Sequence, residues 1–189
     1  SKDEVVQAIV PFGGSAPPVP NPNKSILGGK GLGLQEMSSI GIAVPPGFTL
    51  TTPLCQVFQE SNDLTTEMWA EVQLAIQTVE ADMGRKFGDA ENPLLFSCRS
   101  GAAVSMPGMM DTILNLGLTD ASVEALAGMT GDRRFAYDAY RRLINMFGDV
   151  VMGVDHHKFE AAFDEIKIKY HAQTDNDVPE EGLVELCAR

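Results

Sequence analysis

Apolar positions recur along this chain with the helical period in its middle and second half, and with short β-branched or aromatic runs in between. Between Thr65 and Met83, the residues Met68, Trp69, Val72, Ala75, Ile76 and Val79 return every three or four positions. That spacing predicts an amphipathic helix with its stripe toward a core and Gly84 as its stop. Phe135, Ala139, Leu143, Phe147 and Val150 predict a longer helix from Asp132 to Met152, and Phe159, Phe163, Ile166 and Tyr170 predict one from His156 to Tyr170. Asp120 is placed to cap a short helix ending near Gly128, and Pro179, Glu180 and Glu181 have the composition of a helical first turn. Shorter helices are expected from Gly31 to Gly41 and from Thr52 to Glu60. Val5 to Phe12, Phe48 to Leu50 and Leu94 to Cys98 read as strands, the last of them buried, with Arg99 emerging at its end. Between Gly13 and Gly29, prolines 17, 18, 20 and 22 forbid regular helix and predict a surface loop. The pattern is α+β: a mixed α/β lobe over residues 1–118, then a helical subdomain over 119–189. The expected core is Trp69, Val72, Ile76, Phe96, Phe135, Leu143 and Phe147.

Charge narrows the partners. With 26 acidic against 14 basic side chains, the formal net charge of −12 opposes non-specific attraction to nucleic acid or an anionic membrane. No apolar run approaches the ~20 residues that a bilayer span needs. No basic segment precedes an apolar one at the N-terminus, so the expected setting is intracellular, cytoplasmic or organellar. Cys55, Cys98 and Cys187 are odd in number and far apart, which fits neither a disulfide framework nor a zinc site. They are expected to be buried or spectator thiols.

Two segments carry candidate chemistry. Gly28-Gly29-Lys30-Gly31-Leu32-Gly33 offers unencumbered backbone amides and one ammonium beside a predicted helix, an arrangement that suits phosphate oxygens and equally a plain turn. It is not a P-loop, since Lys24 and Gly31 stand where glycine and a hydroxyl residue are needed. Nor is it a dinucleotide fingerprint, since Glu36 replaces the last glycine. Arg99-Ser100-Gly101-Ala102-Ala103 follows a predicted strand, so the guanidinium sits at a strand end, suited to bidentate contact with phosphate or to a structural ion pair. The stretch Ser105 to Thr112 after it is unusually apolar for a loop and predicts packing over a ligand or against another domain.

Leu27 to Gly31, Val44-Pro45-Pro46-Gly47-Phe48, Arg99 to Leu118, Arg134 to Asp138 and Met146 to Gly153 together resemble the N-terminal ATP-grasp region of the pyruvate, phosphate dikinases. The similarity runs nearly end to end. Lys-Gly and Pro-Pro-Gly segments also occur in phosphoenolpyruvate synthases and glucan, water dikinases, whereas Arg99 to Thr112 reads as the dikinase version. The resemblance implies an enzyme that interconverts ATP, inorganic phosphate and pyruvate with AMP, pyrophosphate and phosphoenolpyruvate. The phosphoryl group travels on a histidine of a swivelling domain. Lys30 and Arg99 are then catalytic ATP-phosphate ligands, with Gly101 also at the nucleotide. Magnesium ligands are expected beyond residue 189, with none inside the chain, which is therefore expected to be inactive alone. The resemblance is compatible with a homodimeric full-length enzyme and with cytosol and plastid alike.

Arg134, Asp138, Arg141 and Asn145 share a polar helix face, with Arg142 at its edge. A solvated face with Asp138 and Arg142 paired at i, i+4 is one reading. The other has Arg141 and Arg142 binding inorganic phosphate or docking the swivelling domain. His156, His157 and His171 do not match the family's phosphohistidine motif and are expected at the surface. Two other functions stay open: a nucleotide domain of phosphoenolpyruvate synthase type, and a non-catalytic module whose apolar loop and arginine helix bind a protein.

Overall fold

The computed structural model describes residues 7–101 and 112–189. Its contacts divide the chain into two units, Ser1–Gly84 with Ser100–Met110, and Arg85–Arg99 with Asp111–Arg189. The class is α+β, with small two-stranded sheets among seven α-helices in the described residues.

In the first unit, β1 (Ile9–Phe12) pairs antiparallel with β2 (Gly47–Leu50), setting Ile9 opposite Leu50 and Phe12 opposite Gly47. Phe12 explains the glycine: a Cβ at Gly47 would lie 2.5 Å from the ring. Val5 and Val6 of the predicted strand lie outside the described residues. Three helices pack with this hairpin: α1 (Lys24–Ser39), α2 (Thr52–Ser61) and α3 (Thr66–Met83). Thr65 caps α3 by accepting the Met68 amide, and Gly84 ends it in the left-handed conformation, as the pattern required. The core is Ala8, Ile9 and Leu54, with Met68, Val72 and Ala75 against them. Trp69 is not part of it. It is 47 % exposed, and its indole N–H donates to Asp63 at 3.1 Å, which anchors the ring at the surface. Ile76 is half-buried.

The loop after β1 is shorter than expected, because helix already begins at Lys24. Asn23 provides the reason: its side chain accepts the Ser25 amide at 2.9 Å, an N-cap that the prolines upstream do not disturb.

In the second unit, the expected strand Leu94 to Cys98 divides. β3 (Lys86–Phe87) pairs parallel with β4 (Pro93–Leu94), while β5 (Phe96–Arg99) pairs antiparallel with β6 (Thr112–Leu116) across an irregularity between Phe96 and Cys98. Leu94 is buried but Ser97, Cys98 and Arg99 are exposed, so only the first part of the run is an interior strand. Helices α4 (Ser122–Thr130), α5 (Arg133–Met146), α6 (His156–Lys169) and α7 (Glu180–Cys187) build the rest. Asp120 does not cap α4. It accepts the Tyr140 hydroxyl at 2.7 Å, and the helix runs on to a left-handed Gly131.

The long helix departs from expectation at its C-terminal end. Asp132 caps it through the Phe135 amide, but regular α-helix stops at Met146 and five residues, Phe147–Val151, form a π-helix. The buried side of α5 is Ala136, Tyr137, Ala139 and Leu143. Phe135 at 53 % and Phe147 at 37 % exposure are not core residues. α5 packs on α4 and α7, and that contact selects the alanine and tyrosine side over the phenylalanine side. The main core gathers Val123, Ala136, Phe163, Ile166, Val178 and Leu183, and Phe96 is half-buried outside it. Cys55 and Cys98 are exposed rather than buried, and all three thiols are free.

Candidate functional site

The glycine-rich segment is helix, with one interruption. Gly28 adopts φ 71 and ψ 173 within α1, a conformation that essentially only glycine reaches. A short turn from Lys24 ends there, and a new helical start carries Gly29, Lys30 and Gly31. The first amides of a helical start lack intrahelical acceptors and point toward any anion placed before them. Leu27, Gly31 and Gln35 form the buried stripe of α1. Gly31 lies so close to Thr49 that a Cβ would come within 3.1 Å of its hydroxyl. Lys30, off this stripe, extends to the Ser100 carbonyl and donates to it at 3.0 Å, both residues belonging to the first unit.

Gln35, which no sequence pattern singles out, fixes this helix. It is 1 % exposed. Its Oε1 accepts the Val19 amide at 3.0 Å and its Nε2 donates to the Pro11 carbonyl at 2.9 Å. One side chain thus ties the proline-rich loop and β1 to the helix that carries Lys30. A second tether holds the start of that loop: Asp82 on α3 accepts both the amide and the hydroxyl of Ser15 at 3.0 Å. The Ser15 amide, then its hydroxyl, hold the Asp82 carboxyl below its usual range.

Arg99 is the last residue of β5, opposite Thr112 in the ladder, and is exposed. Gly101 is exposed, with open space where a Cβ would stand. Ala102, Ala103 and the apolar stretch Ser105 to Asp111 lie outside the described residues. A groove of about 310 Å³ in the first unit, between the hairpin and α3, is lined by Ile9, Pro46, Leu74 and Asp82 among others. A groove of about 440 Å³ occupies the second unit. Neither is lined by Lys30, Arg99 or Gly101.

Arg141 and Arg142 share Asp138. Arg141 donates through Nε and Nη2 to Asp138 Oδ1 at 3.1 and 2.8 Å and lies 4.5 Å from the Phe163 ring centroid. Its side chain is 11 % exposed. Arg142 reaches Asp138 Oδ2 at 3.0 Å and is 68 % exposed, so it presents its charge outward. Nearby, Arg133 binds both Glu124 and Glu180, and the Tyr137 hydroxyl donates to Glu124 at 2.6 Å. Arg133 first, then Tyr137, hold Glu124 below its usual range, while burial and then the Glu124 bond push the Tyr137 phenol up to about 12. This network joins α4, α5 and α7 and is structural. His156 and His157 stand exposed at the start of α6 and pair with Glu160; His171 is also exposed.

Comparison with known proteins decides among the readings. The family described as "Pyruvate phosphate dikinase, AMP/ATP-binding domain" matches residues 24–73, from the Asn23-capped start of α1 into α3. Pyruvate, phosphate dikinase of Giardia intestinalis is 51 % identical over 164 residues, 87 % of this chain. The chloroplastic enzyme of Mesembryanthemum crystallinum is 49 % identical over 86 % of it, and pyruvate, phosphate dikinase 2 of Oryza sativa 49 % over 88 %. The chain carries a segment of the pyruvate, phosphate dikinase family. It spans 19, 17 and 19 % of the length of those three relatives. The matched family segment contains the break at Gly28, Lys30 and Gln35, so the helix built around them is the part of the chain that the family's AMP/ATP-binding description covers most directly. Among the described residues no helix is long and apolar enough to cross a membrane.

Proposed function

We propose that this chain supplies one wall of the ATP site of a pyruvate, phosphate dikinase with an ATP-grasp nucleotide domain, dividing into an α/β lobe over residues 1–118 and a helical subdomain over 119–189. In this reading Lys30 and Arg99 are the ATP-phosphate ligands and Gly101 a further ATP-binding residue, the two cations neutralising charge as it develops on the transferred and leaving groups. The observation that carries this reading is the setting of Lys30. It lies in the first turn after the Gly28 break, where backbone amides and helix dipole favour an anion. Its ammonium rests on a carbonyl acceptor, Ser100 O at 3.0 Å, a contact that a phosphate oxygen would replace with a stronger, charge-assisted one.

Magnesium would supply charge neutralisation at the phosphates in such a reaction, and carboxylates would hold it. Among the described residues no three His, Cys, Asp or Glu side chains gather to hold a metal. In this reading the acids that would hold magnesium lie in the family's remaining length. For that reason the chain alone has no dikinase activity in this reading. Arg141 and Arg142 form a phosphate or domain-docking pair in which Arg142 faces outward and Arg141 holds Asp138 beneath it. Plastid and cytosol both suit the reading, since the Mesembryanthemum crystallinum relative is chloroplastic by name.

The test uses the two half-reactions of the full-length enzyme. Lys30→Ala or Arg99→Ala abolishes ATP-dependent phosphorylation of the carrier histidine and leaves phosphoryl exchange with phosphoenolpyruvate intact. Equal loss in both half-reactions refutes a nucleotide role.

A further inference from the structure

The turn that precedes the Gly28 break is held by a residue of α2. Thr52, the first residue of that helix, donates its hydroxyl to the Ser25 carbonyl at 2.7 Å. In an unbroken helix this carbonyl would accept the amide of Gly29. Gly28, at φ 71 and ψ 173, takes the chain out of that register. A hydroxyl from another helix thus stands where the Gly29 amide would have bonded, and that amide joins the group at the new helical start beside Lys30.

Thr52 stands on a fixed base. Its neighbour Thr51 is fully buried. The Thr51 hydroxyl lies 3.0 and 3.1 Å from the Gln7 and Ala8 carbonyls, and the Thr51 amide donates to Ala8 at 3.0 Å, so α2 begins at a set point on the hairpin. Beyond the break, Gly31 approaches Thr49 of β2 so closely that a Cβ would come within 3.1 Å of its hydroxyl. The exit of the hairpin therefore meets α1 on both sides of Gly28, through Thr49 after it and Thr52 before it. Asn23 Oδ1 completes the hold on the short turn by accepting the Ser25 amide at 2.9 Å and the Ser25 hydroxyl at 2.7 Å. All these residues belong to the first unit.

The Thr52 bond adds little to stability. Thr52 is exposed, so water satisfies the Ser25 carbonyl when the hydroxyl is removed. Water does not fix a direction, whereas a β-branched side chain with few rotamers does. We infer that Thr52 is a positioning residue for the phosphate-binding turn: by holding the Ser25 carbonyl it sets the angle of the Gly28 break, which aims the Gly29 amide and the Lys30 side chain at one anion. This rests on the reading of Lys30 as an ATP-phosphate ligand.

The test compares Thr52→Val, which keeps the shape and loses the hydroxyl, with Thr52→Ser, which keeps the hydroxyl, in the full-length enzyme. In ATP-dependent phosphorylation of the carrier histidine, Thr52→Val raises KM for ATP roughly ten-fold with kcat nearly unchanged, the pattern of lost uniform binding. Thr52→Ser restores KM to near wild type. Phosphoryl exchange with phosphoenolpyruvate and the melting temperature keep their wild-type values in both variants. Should Thr52→Val not fold, Thr52→Ala takes its place with the same expected split. A merely structural threonine lowers the melting temperature and both half-reactions together, and that result overturns the inference. So does an unchanged KM without the hydroxyl, or a Thr52→Ser enzyme as impaired as Thr52→Val. Lys30→Ala separates the two ideas: if it spares the ATP half-reaction, the nucleotide reading fails and this inference with it; if it abolishes that half-reaction while Thr52→Val has normal KM, this inference alone fails.

Discussion

Gln35→Leu separates the hydrogen-bonding role of this residue from its volume. Leucine fills most of the space, so the loss is confined to two bonds, from the Val19 amide at 3.0 Å and to the Pro11 carbonyl at 2.9 Å. Each bond is worth about 1 kcal/mol, and each abandoned partner pays further desolvation where water does not reach it. Val19 and Pro11 are both half-buried, so part of that penalty is relieved by solvent, and the total loss is about 2 to 3 kcal/mol. Gln35 itself is 1 % exposed, and burying an apolar side chain there returns about 1 kcal/mol. The expected net destabilisation is about 1 to 2 kcal/mol, which lowers the urea midpoint by roughly 1 M for an m-value of 1 to 2 kcal/mol/M. The chain contains its own probe: Trp69, the single tryptophan, lies in the first unit. Its fluorescence transition shifts, while hydrogen exchange in α5 of the second unit is unchanged. A midpoint within 0.2 M of wild type, on the same assumed slope, would refute the view that these two bonds hold the loop to α1.

Gly28→Ala places a Cβ at φ 71 and ψ 173, and the strain costs about 1 to 3 kcal/mol; thermal melting followed at Trp69 reports it, and a melting temperature equal to wild type refutes the break at Gly28. pH acts on the groups shifted by their partners. Asp82 and Glu124 are held below ordinary values of 3.8 and 4.5, so the stability they contribute is complete above those values and disappears as pH falls through the lower folded-state ones. Burial raises the Cys187 thiol from 9.0 to about 12, and its contribution is present below pH 9.0 and lost as pH rises toward 12. Urea midpoints measured from pH 2 to 12 should therefore fall at both ends, and an acid limb shallower in Asp82→Asn than in wild type identifies the Ser15 tether, the remaining slope belonging to Glu124 and the other lowered carboxylates.

Caps and stops were the most legible features of the sequence. Thr65 with Gly84 marks α3 to within one residue, and Asp132 opens α5 where its composition places it. These are local interactions, decided within four residues of the cap; where a distant group competes, as the Tyr140 hydroxyl does for Asp120, the expected cap is lost. What failed was the choice of buried face. Ala139 and Leu143 of the expected stripe are buried, but Phe135 and Phe147 are not; Ala136 and Tyr137 are buried in their place where α5 packs on α4 and α7. The division of Leu94 to Cys98 failed for a related reason. Its outer half pairs with β6, a strand with no alternation that marks it, and the pairing is long-range. In the candidate site, the glycines around Lys30 single it out in the sequence, whereas Gln35 has no such mark: a lone glutamine carries no signal until two distant backbone groups are seen to converge on it.

The placement of Lys30 and Gln35 on one helix has a consequence for how such a site works. A lysine that holds phosphate must be fixed in position while keeping its donors available, and burying its own stem tightly would shift or discharge the ammonium. Here the fixing is done elsewhere on α1, by a neutral amide whose bonds do not titrate. Leu27 and Gly31 on the same stripe seat the helix against its unit without touching the charge, and Gly31 allows the approach to Thr49. Lys30 then meets a carbonyl in place of a carboxylate. A carboxylate would compete with phosphate as a full charge and hold the ammonium in an ion pair; a carbonyl satisfies one donor and yields to an anion. The rigid element and the charged group are thus separated by one helical turn and a change of face, and a substitution at Gln35 reaches Lys30 only through the position of the helix.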